Sequence, residues 1–389
     1  MPLLNRAVEM QAEISAWRRD LHMNPEILFD TERTSAFVAE KLRAFGCDEV
    51  ATGIGRTGVV GLIRGRHGDG PVIGLRADMD ALPMTEETGL PYASKVPGRA
   101  HACGHDGHTA MLLGAARHLA ETRNFRGSVA LIFQPAEEGG GGGKEMVEAG
   151  MMDRFAIASV YGLHNFPGLP VGQFAIRKGG LLASVNEFDI LITGKGGHAA
   201  MPHTTIDPVF IGAQIVTALQ GIAARNADPL ESVVVSVTRF NAGEANNVIP
   251  QTARLIGTIR SLKREIRDLA IASVKRTAEG VAAALGGSAR VENIGVPYPV
   301  TFNHDRETDI AASVAAKVAG ARNVATDCQP IMGGEDFAFM LEARPGAFIF
   351  MGNGETPFCH HPAYDFNDTA IPHGVSYWVS LAETALAPA

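Results

Sequence analysis

Val129-Ala130-Leu131-Ile132-Phe133 runs directly into Gln134-Pro135-Ala136-Glu137-Glu138, and this junction decides how the chain is read. Five apolar residues closed by a polar residue and a proline read as a buried strand. The two carboxylates that follow stand at a strand end, where α/β proteins place working groups. Adjacent carboxylates repel unless a positive charge lies near them, and a metal ion supplies one. One can then bind metal while the other moves a proton; a solvated loop pair is the alternative.

Similar apolar runs occupy residues 59–63, 72–75 and 160–163. Between them, residues 31–45 read as a helix with Val38, Leu42 and Phe45 on one face and Gly46 as its stop. Residues 109–119 read as another. The alternation predicts an α/β fold, a mixed sheet covered by helices. The middle of the chain has a different order. Strands are expected at 187–193, 232–240, 254–262 and 289–294, with helices at 206–225, opened by Asp207 and Pro208, and at 263–285. That β-α-β-β-α-β order predicts a ferredoxin-like insert. Apolar strands, including 347–351, then resume. The expected organisation is a discontinuous first domain, 1–184 and 296–389, interrupted by a second, 185–295.

The chain has 389 residues, 46% hydrophobic and 20% charged, with a formal net charge of -8. Two domains are the natural expectation for that length. The negative balance, without a basic run, argues against nucleic acid or an anionic membrane as partner. No apolar stretch approaches the roughly 20 residues of a membrane span. Met10, Ile14, Trp17 and Leu21 recur at helical spacing among charges, so the N-terminus reads as a first helix rather than a signal peptide. The four scattered cysteines are expected to be thiols in a cytoplasmic protein.

Two glycine-rich stretches resemble nucleotide motifs. Gly53-Ile54-Gly55-Arg56-Thr57-Gly58 fits G-x-G-x-x-G but precedes a strand rather than a helix, so a turn is expected. Residues 139–143 precede Lys144, but Glu145 stands where a phosphate loop needs Ser or Thr.

His101-Ala102-Cys103-Gly104-His105-Asp106-Gly107-His108 is the densest donor segment. Thiolate and imidazole suit zinc and its neighbours. In extended chain, Cys103 and His105 point to one side, ahead of a helix expected near Thr109. A buried Cys beside an Asp106 cap is the alternative. His101 and His108 are left unassigned. His164 follows the run at 160–163, and His360 lies in the late turn Cys359-His360-His361-Pro362. Each alone could be structural; together these segments supply donors for two metals sharing a bridge.

The set resembles the M20 metallopeptidase family, in its aminoacylase and hippurate-hydrolase branch, which includes plant auxin-conjugate hydrolases. The likeness covers almost the whole chain. It runs through Arg76-Ala77-Asp78-Met79-Asp80-Ala81-Leu82-Pro83, the segment from His101 to His108, and residues 134–139 and 162–165. It continues through 194–203, Asn247-Val248-Ile249-Pro250, 257–261, Gly333-Gly334-Glu335-Asp336-Phe337 and His360-His361-Pro362. The resemblance implies a zinc-peptidase-like catalytic domain with a lid and dimerisation insert, and a homodimer or dimer-based tetramer. It implies two divalent ions (manganese, zinc, cobalt or nickel) bridged by Cys103, with His105 and His164 at one and Glu138 and His360 at the other. His361 replaces a common Ser, and Cys359 stands where Leu is usual. Asp80 would hold a ligand imidazole in one tautomer, with a buried salt bridge as the alternative.

The implied reaction is hydrolysis of the amide bond of N-acyl amino acids, hippurate-like or N-acetylated. Glu137 would act as general base and then acid. His198 would donate to the oxyanion. Asn247, Arg260, Gly333 and Gly334 would bind substrate, Arg260 through its planar fork. A dipeptidase, a carboxypeptidase, an N-acetyl-diaminopimelate deacetylase or a non-catalytic metal-binding protein are the alternatives.

Overall fold

The computed structural model describes residues 3–388. The chain divides into two compact units. The first runs to Leu181 and returns for Phe302–Gln329 and from Asp336 onward; the second is Leu182–Thr301 with Pro330–Glu335. The second unit thus extends beyond the expected 185–295 stretch at both ends and takes in a remote six-residue segment containing Gly333 and Gly334.

The first unit is built on an eight-stranded sheet. Its middle strands are Ser128–Gln134, Val72–Asp78, Ile157–Pro167 and Gly346–Gly354, adjacent in that order and mutually parallel. Their burial is nearly continuous, as parallel strands covered on both faces require. Glu49–Ile54 and Gly58–Arg64 add an antiparallel hairpin at one side. The glycine-rich 53–58 stretch is the turn of that hairpin and leads into a strand instead of opening a helix. Helices Gln11–Met23, His105–Thr122 and Ile371–Ala385 pack with the sheet into one core, with Ile14, Leu112, Phe133 and Trp378 buried.

Parallel strands end on the same side, so the segments after Asp78, after Gln134 and near the end of Ile157–Pro167 gather at one edge. That geometry brings distant donors together. One local expectation is corrected. The segment holding Cys103 and His105 is not extended up to Thr109; the helix begins at His105. Gly104 precedes it with φ +99°, a left-handed conformation that favours glycine. A Cβ there would lie 2.2 Å from Asn165 Nδ2 and 2.5 Å from the Tyr364 hydroxyl. Cys103 and His105 are therefore aimed by a glycine turn rather than by strand alternation.

The second unit has a four-stranded antiparallel sheet, Val233–Ala242, Thr252–Ser261, Ser184–Thr193 and Ser288–Tyr298 in that spatial order. Helices Pro208–Gly221 and Arg264–Ala284 lie between them in sequence. Asp207 caps the first through its carboxylate to the Val209 N–H at 2.8 Å. Ile190, Leu219, Leu255 and Val274 form its core.

Candidate metal centre

Cys103, His105, Glu137, Glu138, His164 and His360 all belong to the first unit, and the fold brings them to one place. Cys103 Sγ lies 3.4 Å from His164 Nε2. Donor atoms of Cys103, Glu138 and His360 lie within 4.8 Å of one another, as do those of His105, Glu137 and Glu138. His105 and His164 form a further such group with Asp78 and His108.

Hydrogen bonding sorts the three neighbouring imidazoles. His105 Nδ1 faces the Asp80 backbone carbonyl at 2.8 Å, and His164 Nδ1 faces the Asn165 carbonyl at 2.7 Å. A carbonyl only accepts, so each Nδ1 carries a proton and each Nε2 is the nitrogen left for a metal. His105 Nε2 is buried and has no hydrogen-bond partner among the described residues. His108 differs. Its Nδ1 donates to Asp78 Oδ1 at 2.7 Å and its Nε2 accepts the Asn165 backbone N–H at 2.9 Å. With both nitrogens used, His108 supports the site instead of offering a donor to it.

His360 sits at φ +69°, an uncommon conformation for a residue with a side chain. Its N–H donates to the Ala102 carbonyl at 2.7 Å, tying it to the Cys103 loop. Its Nε2 is 3.2 Å from Glu138 Oε1. His361 is exposed and accepts the Ala363 N–H through Nδ1 at 3.0 Å, so His360 is the histidine of this turn that reaches the cluster. Cys359 also lies here, its thiol 3.7 Å from the Cys103 carbonyl.

Asp80 does two things. Its backbone carbonyl sets the His105 tautomer, while its carboxylate accepts the N–H groups of Glu137 at 2.9 Å and Glu138 at 3.1 Å. The side chain thus fixes the two glutamates more than the imidazole. Behind it, Arg76 is fully buried and donates to Asp78 Oδ2 at 2.7 Å and to Gln134 Oε1 at 2.9 Å, and pairs with Asp336 Oδ1 at 3.1 Å.

The electrostatics call for a cation. Burial alone would lower the His105 pKa, but Asp78, Asp80 and Glu138 raise it well above its ordinary value. Burial would raise Glu138, yet His360 and His105 hold it below the usual carboxylate range. Glu138 Oε1, like His105 Nε2, makes no properly directed hydrogen bond among the described residues. An imidazole nitrogen and a carboxylate oxygen 4.0 Å apart, with a thiol and two further imidazoles around them, fit a divalent metal.

The family model described as Peptidase family M20/M25/M40 matches residues 74–384. The chain belongs to this family. The hippurate hydrolase of Campylobacter jejuni is 41% identical over 382 residues, covering 98% of this chain and 99% of that protein. An N-acetylcysteine deacetylase of Bacillus subtilis is 42% identical over 370 residues, covering 95% and 96%. A solved Bacillus subtilis structure, described as a dinuclear metal binding peptidase from the M20 family, superposes with a TM-score of 0.85. It is 37% identical and covers 97% of this chain and 99% of that one.

The remaining expected residues of this M20 chain lie in the second unit. His198 is exposed, on the short strand Gly197–His198 that pairs with Val248–Ile249. Its Nδ1 accepts the Ala200 N–H at 3.1 Å, leaving Nε2 as the protonated nitrogen. The Asn247 carbonyl accepts the Ala199 N–H at 3.0 Å, so Asn247 and His198 are neighbours. Arg260 is half-buried on Thr252–Ser261 and bonds Thr258 Oγ1. The Gly333 carbonyl accepts the Ala183 N–H at 2.9 Å. A Cβ on Gly334 would lie 2.1 Å from Val185 Cγ2, so packing alone requires glycine there.

Sequence reasoning left out Asp78, His108, Asn165 and Tyr364. The last two clamp the Cys103 loop: Asn165 Nδ2 donates to the Cys103 carbonyl at 2.6 Å and Tyr364 donates to Asn165 Oδ1 at 2.7 Å. Asp78 carried a readable signal, because it closes the apolar strand Val72–Asp78.

Proposed function

We propose that this M20 chain is a metal-dependent amidohydrolase that cleaves N-acyl amino acids into a carboxylic acid and a free amino acid. The reading rests chiefly on the convergence of His105 Nε2, which has no hydrogen-bond partner among the described residues, with the Glu138 carboxylate 4.0 Å away and Cys103, His164 and His360 around them. Those five residues would hold two divalent ions. Cys103 lies 3.4 Å from His164 and groups with the Glu138 and His360 donors. Manganese, zinc, cobalt or nickel fits this mixed set of thiolate, imidazole and carboxylate.

When bound, the ions supply Lewis acidity to the scissile carbonyl and acidity to water. Glu137 takes the proton from the attacking water and delivers it to the leaving amine nitrogen. Asp80 holds Glu137 in place through its backbone N–H, so the base is fixed before substrate arrives. Water is the nucleophile and no covalent enzyme intermediate is required. His198 donates from Nε2 to the oxyanion of the tetrahedral intermediate, contributed by the partner in a homodimer. Arg260, Asn247 and the backbone of Gly333 and Gly334 bind the substrate carboxylate side. The first unit is the catalytic domain and the second a lid and dimerisation domain of a cytoplasmic enzyme.

The test is a hydrolysis panel of hippurate, N-acetyl amino acids and dipeptides, with released amine as readout. Exhaustive chelation abolishes turnover, and one of the four metal salts restores it. Hydrolysis that survives full demetallation overturns the reading. Preference for dipeptides over every N-acyl amino acid moves the chain to the peptidase alternative.

A further inference from the structure

Asp106 immediately follows His105, and nothing in the proposed chemistry uses it. It is fully buried at the start of helix His105–Thr122. Its Oδ2 accepts His22 Nδ1 at 2.8 Å and lies 3.5 Å from Arg18 Nη1. Both partners come from helix Gln11–Met23 and are buried in turn. Arg18 bonds Asp368 Oδ1 at 2.8 Å and Asp365 Oδ1 at 3.1 Å. His22 Nε2 lies 3.3 Å from Glu86 Oε1, and the other oxygen of Glu86 accepts the Ser94 N–H at 2.7 Å. One helix thus grips this carboxylate behind the Cys103–His105 turn, and its two gripping residues are held in turn by Glu86, Asp365 and Asp368.

Stability does not account for this cluster. Buried ion pairs are often no more stable than apolar packing of the same volume. Here Arg18 Nη2, Asp106 Oδ1 and both ring nitrogens of His101 also find no hydrogen-bond partner among the described residues. Unpartnered buried polar atoms cost free energy. What the cluster provides is geometry. Directional bonds fix Asp106, and Asp106 is covalently joined to His105, one glycine from Cys103.

We propose that Arg18, His22 and Asp106 are positioning residues that lock the first turn of helix His105–Thr122 from behind and thereby set the Cys103–His105 geometry on which metal affinity depends. The inference rests on the metal-centre reading above, and the experiment separates the two. Metal-free protein is titrated with zinc or manganese alone in chelator competition. Wild type is compared with His22→Leu, His22→Asn and Asp106→Asn, with circular dichroism and cooperative unfolding as fold controls.

His22→Leu and Asp106→Asn are expected to weaken metal binding about 10- to 100-fold, the range for residues behind metal ligands. Excess metal restores their turnover. In His22→Asn the amide donor occupies the place of Nδ1, so affinity returns to within a few-fold of wild type. Should His22→Leu fail to fold, Asp106→Asn decides, since it keeps the shape and removes the charge. Folded variants that bind metal as tightly as wild type overturn the clamp and leave the amidohydrolase reading intact. A wild-type protein that binds no metal overturns both.

Discussion

The two units hold their candidate residues in opposite ways. In the first, every proposed ligand is constrained before any ion or substrate arrives: His105 and His164 through Nδ1, His360 through its backbone N–H, Cys103 through its carbonyl, and Glu138 through Asp80. In the second, His198 is exposed and Arg260 hydrogen-bonds Thr258 and Ile259 of its own strand. Ligand geometry tolerates little error and is built in. The proposed substrate contacts of the second unit carry no such constraint, as fits groups that adjust when a substrate binds.

Three substitutions test that contrast, in falling order of effect. His164→Ala removes a fixed donor, so turnover should drop below detection and metal analysis should find fewer bound ions than in wild type. Full turnover with a full metal complement would show that His164 is not a ligand. Glu137→Gln should lower kcat by at least ~10²-fold, the lower end for acid–base catalysis, with metal content and thermal stability unchanged. Near wild-type kcat with metal bound removes Glu137 from its role. His198→Ala should lower kcat by about 10²-fold, as for loss of one oxyanion donor, with metal affinity untouched. A change in metal affinity instead would place His198 with the rigid first unit.

The strands of both units were legible because parallel burial writes continuous apolar runs and the insert alternates helix and strand periods. Glu138 was readable as a candidate because it follows strand Ser128–Gln134, whereas His164, expected after a strand, lies inside Ile157–Pro167. What was not legible depends on partners remote in sequence. That His108 is spent and His105 is bare follows only from Asn165 and the Asp80 carbonyl meeting different nitrogens. The helix start at His105 differs from the expected one near Thr109 because the left-handed φ of Gly104 ends the extended chain four residues earlier. The Arg18–His22–Asp106 cluster was missed because an amphipathic first helix is read for its apolar face, and its two most deeply buried polar residues look like ordinary surface groups.

That cluster also makes stability depend on pH, and the sign follows from His22. Burial, the largest single influence, would lower its pKa; the Asp106 and Glu86 carboxylates together outweigh it and raise the pKa to about 9 from an ordinary 6.5. Arg18 opposes the rise, while Tyr92 and His101 are its ring neighbours. A group whose pKa is higher in the folded state binds its proton more tightly there, so its contribution is complete below pH 6.5 and disappears as pH passes 9. The metal-free protein should therefore lose Tm between those limits. His22→Asn keeps the bond to Asp106 but carries no titratable proton, so its Tm should fall less over the same range. Parallel Tm profiles for the two proteins would mean that the imidazole is not charged at neutral pH, and that Arg18 alone balances Asp106.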